Sequence, residues 1–292
     1  MAFDESEILI VKIVSCCCLQ DLETFKLSFD YIYRYIPNSG IYLYVPDRDY
    51  AKFNEEFANI DNIIIKKDSD IITQEISDIV MNKLTILNKR HMYGWYIQQF
   101  IKIKSASQFK ENESVLIWDS DTIPLRPLTF ENNKGGHNYF VGSEYHEPYF
   151  KTLSKFTSIS KKIEQSFIAQ CLPVYSHHVR ELIDEFGGEE NWIKNIMLNL
   201  DETSDCAFSE YETLGNFLMG KHPDLVHLNY SPWARNGYQL LFFRKNIKAG
   251  LQDLNGKFAY IALEKQNISK IRYTYRVFIS LLVNVKKIIL FK

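Results

Sequence analysis

Ser114-Val115-Leu116-Ile117-Trp118-Asp119-Ser120-Asp121 is the stretch on which this chain turns: an apolar run of strand length that stops at two carboxylates one residue apart. A run such as Val115 to Trp118 fits a strand buried on both faces, and open α/β sheets place their chemistry at the carboxyl ends of such strands. If the extended backbone continues, Asp119 and Asp121 project to the same side. Like charges so close repel unless a cation lies between them. A hard divalent ion, Mn²⁺ or Mg²⁺, accepts oxygen ligands and keeps positions open for phosphate oxygens and water, so such a pair could carry a nucleotide diphosphate. The plainer alternative is loop chemistry, in which one Asp closes a turn and the other is solvated; Pro124 and Pro127 lie close by.

The chain before this stretch alternates strand and helix. Residues 8–18 form an apolar, β-branched run, and Leu22, Phe25, Phe29, Ile32 and Ile36 follow at helical spacing. Asn38-Ser39-Gly40 makes a turn, residues 41–45 read as a second strand and residues 62–65 as a third. Strand and helix in alternation predict a mostly parallel, Rossmann-type sheet flanked by helices. Residues 93–105 are predicted helical, with Trp95, Gln98 and Lys102 on one stripe. Residues 139–145 suggest another strand, and residues 165–186 a mixture of strand and helix. This organisation divides the chain into a domain over 1–240, with a nucleotide-binding half at 1–121 and an acceptor half at 122–240, and a helical tail over 241–292.

Composition narrows the function. A chain of 292 residues can bury a large core, and a formal net charge of −2 argues against nucleic acid as a partner. The five cysteines, three of them adjacent at Cys16, Cys17 and Cys18, form neither a disulfide framework nor a zinc ribbon, which points to a reducing compartment. Acidic residues near the start and Lys12 within the first apolar run argue against a signal peptide. In the tail, seven Lys and Arg residues face the single acid Glu264, and apolar residues recur at steps of three or four. An amphipathic helix of that kind lies either on an anionic membrane or docked against the domain with its charges in water.

Downstream of the acidic pair, Ser209-Glu210-Tyr211-Glu212 has the spacing of a capping box at a helix start, which assigns Glu212 to the backbone and leaves Glu210 free. Residues 225–230 alternate, with Val226, Leu228 and Tyr230 on one face and His227 and Asn229 on the other. Arg235, in a loop-like segment, could clamp a diphosphate or simply be solvated.

Asp119-Ser120-Asp121-Thr122, the Pro/Leu/Arg segment after it, Gly94-Trp95-Tyr96-Ile97-Gln98-Gln99 upstream and Phe208-Ser209-Glu210-Tyr211-Glu212-Thr213 downstream together resemble GT-A-type, Asp-x-Asp-containing bacterial glycosyltransferases of surface-polysaccharide (lipopolysaccharide or capsule) gene clusters. The resemblance implies metal-dependent transfer of a sugar from a nucleotide-sugar donor to a glycan or lipid-linked glycan acceptor. Asp119 and Asp121 would hold Mn²⁺ or Mg²⁺ against the donor diphosphate. It further implies His227 as a third metal ligand, Trp95 and Gln98 on the donor wall, and Glu210 as the base of an inverting reaction. The cysteine pattern adds a cytoplasmic location, and the basic tail, if it lies on an anionic membrane rather than on the domain, would make it peripheral on the inner face of the plasma membrane. Two other functions remain open on the sequence. A haloacid dehalogenase-like Mg-dependent phosphatase also places Asp-x-Asp after an apolar strand, although the later acidic pair it needs is not found. The other is a non-catalytic scaffold of the same fold.

Overall fold

The computed structural model describes residues 11–241 and 247–264. The first strand, β1 (Val11–Cys16), leads into α1 (Leu22–Tyr35), followed by β2 (Ser39–Val45), α2 (Tyr50–Phe57) and β3 (Ile63–Lys67). Two helices, α3 (Gln74–Ile86) and α4 (Tyr93–Ser107), then precede β4 (Ser114–Trp118), the strand that carries the acidic pair. The middle of the chain adds β5 (Thr122–Pro124), β6 (His137–Phe140), α5 (Glu147–Leu153), β7 (Cys171–Tyr175), α6 (Ser176–Glu185) and α7 (Trp192–Asn199). After these come α8 (Glu210–Lys221), β8 (Val226–Asn229), α9 (Gly237–Leu241), α10 (Ile247–Leu254) and β9 (Tyr260–Ala262).

Five strands form the central sheet in the order β3-β2-β1-β4-β7. The first four are parallel, and β7 runs antiparallel to β4. The mostly parallel, helix-flanked sheet expected from the sequence is therefore met. Alternation along each strand explains the two-sided core. Val14, Tyr44, Val115, Ile117, Leu172 and Val174 face one cluster with residues of α3, α4, α6, α7 and α8. Ile13, Leu43, Val45, Leu116, Trp118 and Cys171 face the other with α1 and α2. Both faces are covered, which is why β4 reads as unbroken apolar sequence.

The division at residue 240 is corrected by the packing. β9 pairs antiparallel with β5, in register Thr122↔Ala262, Ile123↔Ile261 and Pro124↔Tyr260. Leu251, Leu254, Ile261 and Leu263 share a buried cluster with Ile123 and Leu125, and the Tyr260 hydroxyl donates to the Ala169 carbonyl at 2.6 Å. Residues 247–264 are thus part of the folded body, and the stretch begins as a helix but ends as a strand. The basic, apolar-striped part of the expected helical tail, residues 265–292, lies outside the described residues, as do residues 1–10. Among the described residues no helix is long and apolar enough to cross a membrane.

Candidate functional site

Chain order sets the location of the site. From β1 the chain steps outward to β2 and β3, then returns to the other side of β1 as β4, so the direction of winding reverses between β1 and β4. In open α/β sheets the crevice at the carboxyl ends of two such strands is where ligands bind. Asp119 and Asp121 follow β4 directly, and Cys17 and Cys18 follow β1.

A tight turn, rather than continued strand, brings the two acids together. The Thr122 amide donates to the Asp119 carbonyl at 2.9 Å, closing a four-residue β-turn over 119–122. The expectation that an extended backbone aligns the two side chains is corrected accordingly. The turn is pinned on both flanks: the Asp119 amide donates to the Gln170 carbonyl at 3.0 Å and the Leu263 amide to the Asp121 carbonyl at 2.9 Å. Gln170 itself sits at φ 61°, in the left-handed region that a non-glycine residue adopts only under constraint.

Behind the turn stands a buried ionic triad. Lys102, on α4 and 3% exposed in its side chain, holds its ammonium between the carboxylates of Asp119 and Glu210, with the Glu210 Oε1 contact at 2.8 Å. Tyr211 donates its hydroxyl to the same Asp119 Oδ1 at 2.8 Å, and its ring lies beneath the Lys102 ammonium, 5.1 Å from centroid to nitrogen. Burial works against the charge on Lys102, but Asp119 and Glu210 outweigh it and hold its pKa above the ordinary lysine value, so the cation is permanent. For Tyr211, burial first and then Asp119 and Glu210 push the pKa well up, so the phenol keeps the proton it donates. Glu210 is raised too, chiefly by burial.

Glu210 is therefore not the free acid expected from the capping box. It is 4% exposed, tied to Lys102, and its amide donates to Gln99 Oε1 at 3.1 Å. Half of the expected box forms, in that the Glu212 amide donates to Ser209 Oγ at 3.3 Å. The Glu212 side chain does not turn back to the backbone at Ser209. Ser166 Oγ donates to Glu212 Oε1 at 2.6 Å and Asn216 Nδ2 to Oε2 at 2.7 Å, with the Lys161 ammonium 4.0 Å away. Glu212 is thus a structural acid, as expected, through a different set of partners.

Asp121 is the second acid of the turn, half-buried and desolvated. Burial raises its pKa to about 7, and Asp119, Glu264 and Asp21 add to the rise while Lys102 opposes it. Among the described residues no three of these carboxylates bring ligand atoms within 4.8 Å of one another, so the residues that would hold Mn²⁺ or Mg²⁺ are the pair Asp121 and Asp119, with phosphate oxygens and water left to complete the shell. His227 does not join them. Its Nε2 lies 2.8 Å from the Gly135 carbonyl oxygen, in the loop before β6, and β8 is paired with β6 rather than with the main sheet. Asp119, Asp121 and His227 do not bring their ligand atoms within 4.8 Å of one another, so the third-ligand expectation is corrected.

Arg235 is not free to clamp a diphosphate either. Its Nε donates to Glu264 Oε1 at 2.7 Å, and its Nη1 is paired with the Glu144 carboxylate. Trp95 is half-buried and packs edge-on against Tyr96, ring centroids 4.8 Å apart. Gln98 is half-buried one turn before Lys102, and its carbonyl faces the Cys16 thiol at 3.6 Å, at the carboxyl end of β1. Sequence reading missed Tyr211, Gln99 and Glu264 as site residues and treated Lys102 only as a member of a stripe. A lysine flanked by Phe100, Ile101 and Ile103 was the available signal, because a cation in an apolar helix segment needs buried partners.

The strand order and the acidic turn define an α/β protein with an acidic pair at the carboxyl edge of its mostly parallel sheet, at the switch point. The chain matches the family of unknown function DUF6492 over residues 6–230 and belongs to that family. No curated protein matches it. Solved structures similar to it include the galactosyltransferase LgtC in complex with donor and acceptor sugar analogs, at 14% identity over 86% of each chain and a TM-score of 0.48. Mouse xyloside xylosyltransferase 1 is similar at 11% identity over 88% of this chain and 98% of that one, TM-score 0.44. The glycosyltransferase GlyE of Streptococcus pneumoniae TIGR4 is similar at 14% identity over 91% of this chain and 60% of that one, TM-score 0.43.

Proposed function

We propose that this protein is a metal-dependent glycosyltransferase that moves a sugar from a nucleotide-sugar donor to a glycan or lipid-linked glycan acceptor. The observation that carries the reading is the acidic turn over 119–122 at the β1/β4 switch point. The motif resemblance to GT-A-type enzymes supports the same reading. Mn²⁺ or Mg²⁺ at this site would supply charge to offset that growing on the leaving diphosphate.

The chain's own residues divide the work. Asp121 offers the open carboxylate. Lys102 and Tyr211 fix Asp119 through one oxygen and leave its other oxygen to assist. Glu210 keeps Lys102 in place, which makes it a positioning residue; the role of inverting base is not carried over, because its carboxylate faces Lys102 inside the protein. Trp95 and Gln98 form the donor-side wall along α4. Arg235 bridges Glu144 to Glu264 and so orders the segment that runs past Asp121. A role in bacterial surface-polysaccharide synthesis on the inner face of the plasma membrane follows from the resemblance and belongs to this same proposal.

The test is release of nucleoside diphosphate from a panel of nucleotide sugars, with Mn²⁺ and with a chelator. The expected result is metal-dependent turnover of one donor, with Asp121→Ala lowering it on the order of 100-fold or more. Hydrolysis of p-nitrophenyl phosphate, lost in Asp119→Ala and unaccompanied by turnover of any nucleotide sugar, would replace this reading with the phosphatase one.

A further inference from the structure

A second cluster of ligand-type side chains lies at the other end of α8 from Glu210 and Tyr211. His178 and Glu181 sit one turn apart on α6, and His222 ends α8. One ligand atom from each lies within 4.8 Å of the other two, and among the described residues this is the one such group of three. The three do not arise from sequence proximity, since His222 is brought in by the packing of α8 against α6.

His178 is the informative member. It is 5% exposed, and its ring is held by contacts with the rings of Tyr175, His177 and His222. Its ring lies against that of His222, centroids 4.1 Å apart. His222 Nε2 in turn lies 2.6 Å from Glu181 Oε2. The neighbouring His177 is otherwise engaged, with Nδ1 at 2.6 Å from the Glu111 carbonyl oxygen. Two imidazoles and a carboxylate whose ligand atoms lie within 4.8 Å of one another have the donor set of a coordination shell.

We propose that His178, Glu181 and His222 form a zinc site that clamps α6 to the C-terminal end of α8. Two imidazoles and one carboxylate suit Zn²⁺, which takes nitrogen ligands at about 2.0–2.1 Å and leaves a fourth tetrahedral position to water. Ligand atoms around such an ion stand about 3.4 Å apart. His222 and Glu181 therefore exchange their mutual contact for the ion, and the imidazole planes turn so that both lone pairs meet it. The site is separate from the acidic turn. α8 is 12 residues long, about 18 Å at 1.5 Å per residue, so the clamp and the residues that hold Lys102 and Asp119 occupy opposite ends of one rod.

The experiment uses the full chain carrying Asp121→Ala, stripped of metal by chelator, so that the acidic turn does not compete. Zn²⁺ alone is titrated by calorimetry, and Co²⁺ by its visible absorption. The expected result is one equivalent of Zn²⁺ bound, an intense Co²⁺ band of the tetrahedral type, and a melting temperature about 5 °C or more higher at a hundredfold excess over Kd. His222→Gln, at a partly exposed position, should lower the affinity about 10- to 100-fold and abolish the Co²⁺ band. His178→Ala should do the same, and circular dichroism at 20 °C distinguishes lost binding from lost folding in each variant. Unchanged Zn²⁺ affinity in folded His222→Gln, or no Zn²⁺ binding by the Asp121→Ala protein, would overturn the proposal.

Discussion

Replacing Lys102 by methionine isolates the most unusual electrostatic feature of this protein. The ammonium is 3% exposed and serves two carboxylates, Asp119 and Glu210. Lys102→Met keeps most of the volume and removes the charge, leaving both acids in a low-dielectric setting without a counter-ion. Breaking a buried ion pair by removing one partner costs about 3–5 kcal/mol. For a domain of this size, that lowers the melting temperature by about 10 °C. Glu210→Gln should cost much less, because the pair of Lys102 with Asp119 survives and is electrically neutral. Glu210→Gln added to Lys102→Met should then restore part of the loss, with a coupling energy of about 2 kcal/mol. Urea unfolding of the four proteins at pH 7.5 in chelator measures this directly. Strictly additive single-variant costs would refute the triad, and so would a Lys102→Met protein as stable as wild type.

Three further outcomes follow from the packing. Burial, with His178 nearby, pushes the pKa of His137 down to about 4, while the unfolded chain titrates near 6.5. The unfolded state takes up the proton first, so stability is full above about pH 6.5 and falls by about 3 kcal/mol as the pH drops to about 4. His137→Asn should flatten that slope, and an unchanged profile of urea midpoints would count against it. Gly215→Ala should destabilise even though alanine is the better helix former, because its Cβ would sit 2.1 Å from Phe167 Cγ in a filled core; about 1–3 kcal/mol is expected in thermal unfolding. Glu212→Ala strands Ser166, Asn216 and Lys161 and should cost about 3 kcal/mol, with Glu212→Gln milder in the same assay.

Local patterns were legible where one segment carried its own answer. The apolar run of β4, the helical spacing of α1, the helix at α4 and the Ser209 cap could all be read from a few neighbouring residues, because period and capping chemistry are local. The acidic pair is visible in the sequence, but its turn geometry is not. Whether residues 119–122 extend or turn depends on a carbonyl from Gln170 and an amide from Leu263, both far away in sequence. The same holds for the triad, where Lys102 finds Glu210 across 108 positions. β9 could not be foreseen from three residues between a helix and a basic stretch, since its identity as a strand comes from pairing with β5. Residue type and placement in the chain point to His227 and Arg235, but neither reports a partner. The fold gives the first to the Gly135 carbonyl and the second to Glu144 and Glu264.

Whether Asp121, with Asp119, holds a divalent ion against a diphosphate is tested most directly by a Mn²⁺ titration followed by electron paramagnetic resonance, in the presence and absence of a nucleoside diphosphate. Wild-type protein should remove one equivalent of free Mn²⁺ signal, with the affinity rising by a factor on the order of 10 when the diphosphate is present, a coupling of about 1.4 kcal/mol. Asp121→Ala should lose that coupled site while keeping its fold. A coupled site of wild-type affinity in the Asp121→Ala protein, or diphosphate binding that ignores Mn²⁺ in the wild type, would contradict the account.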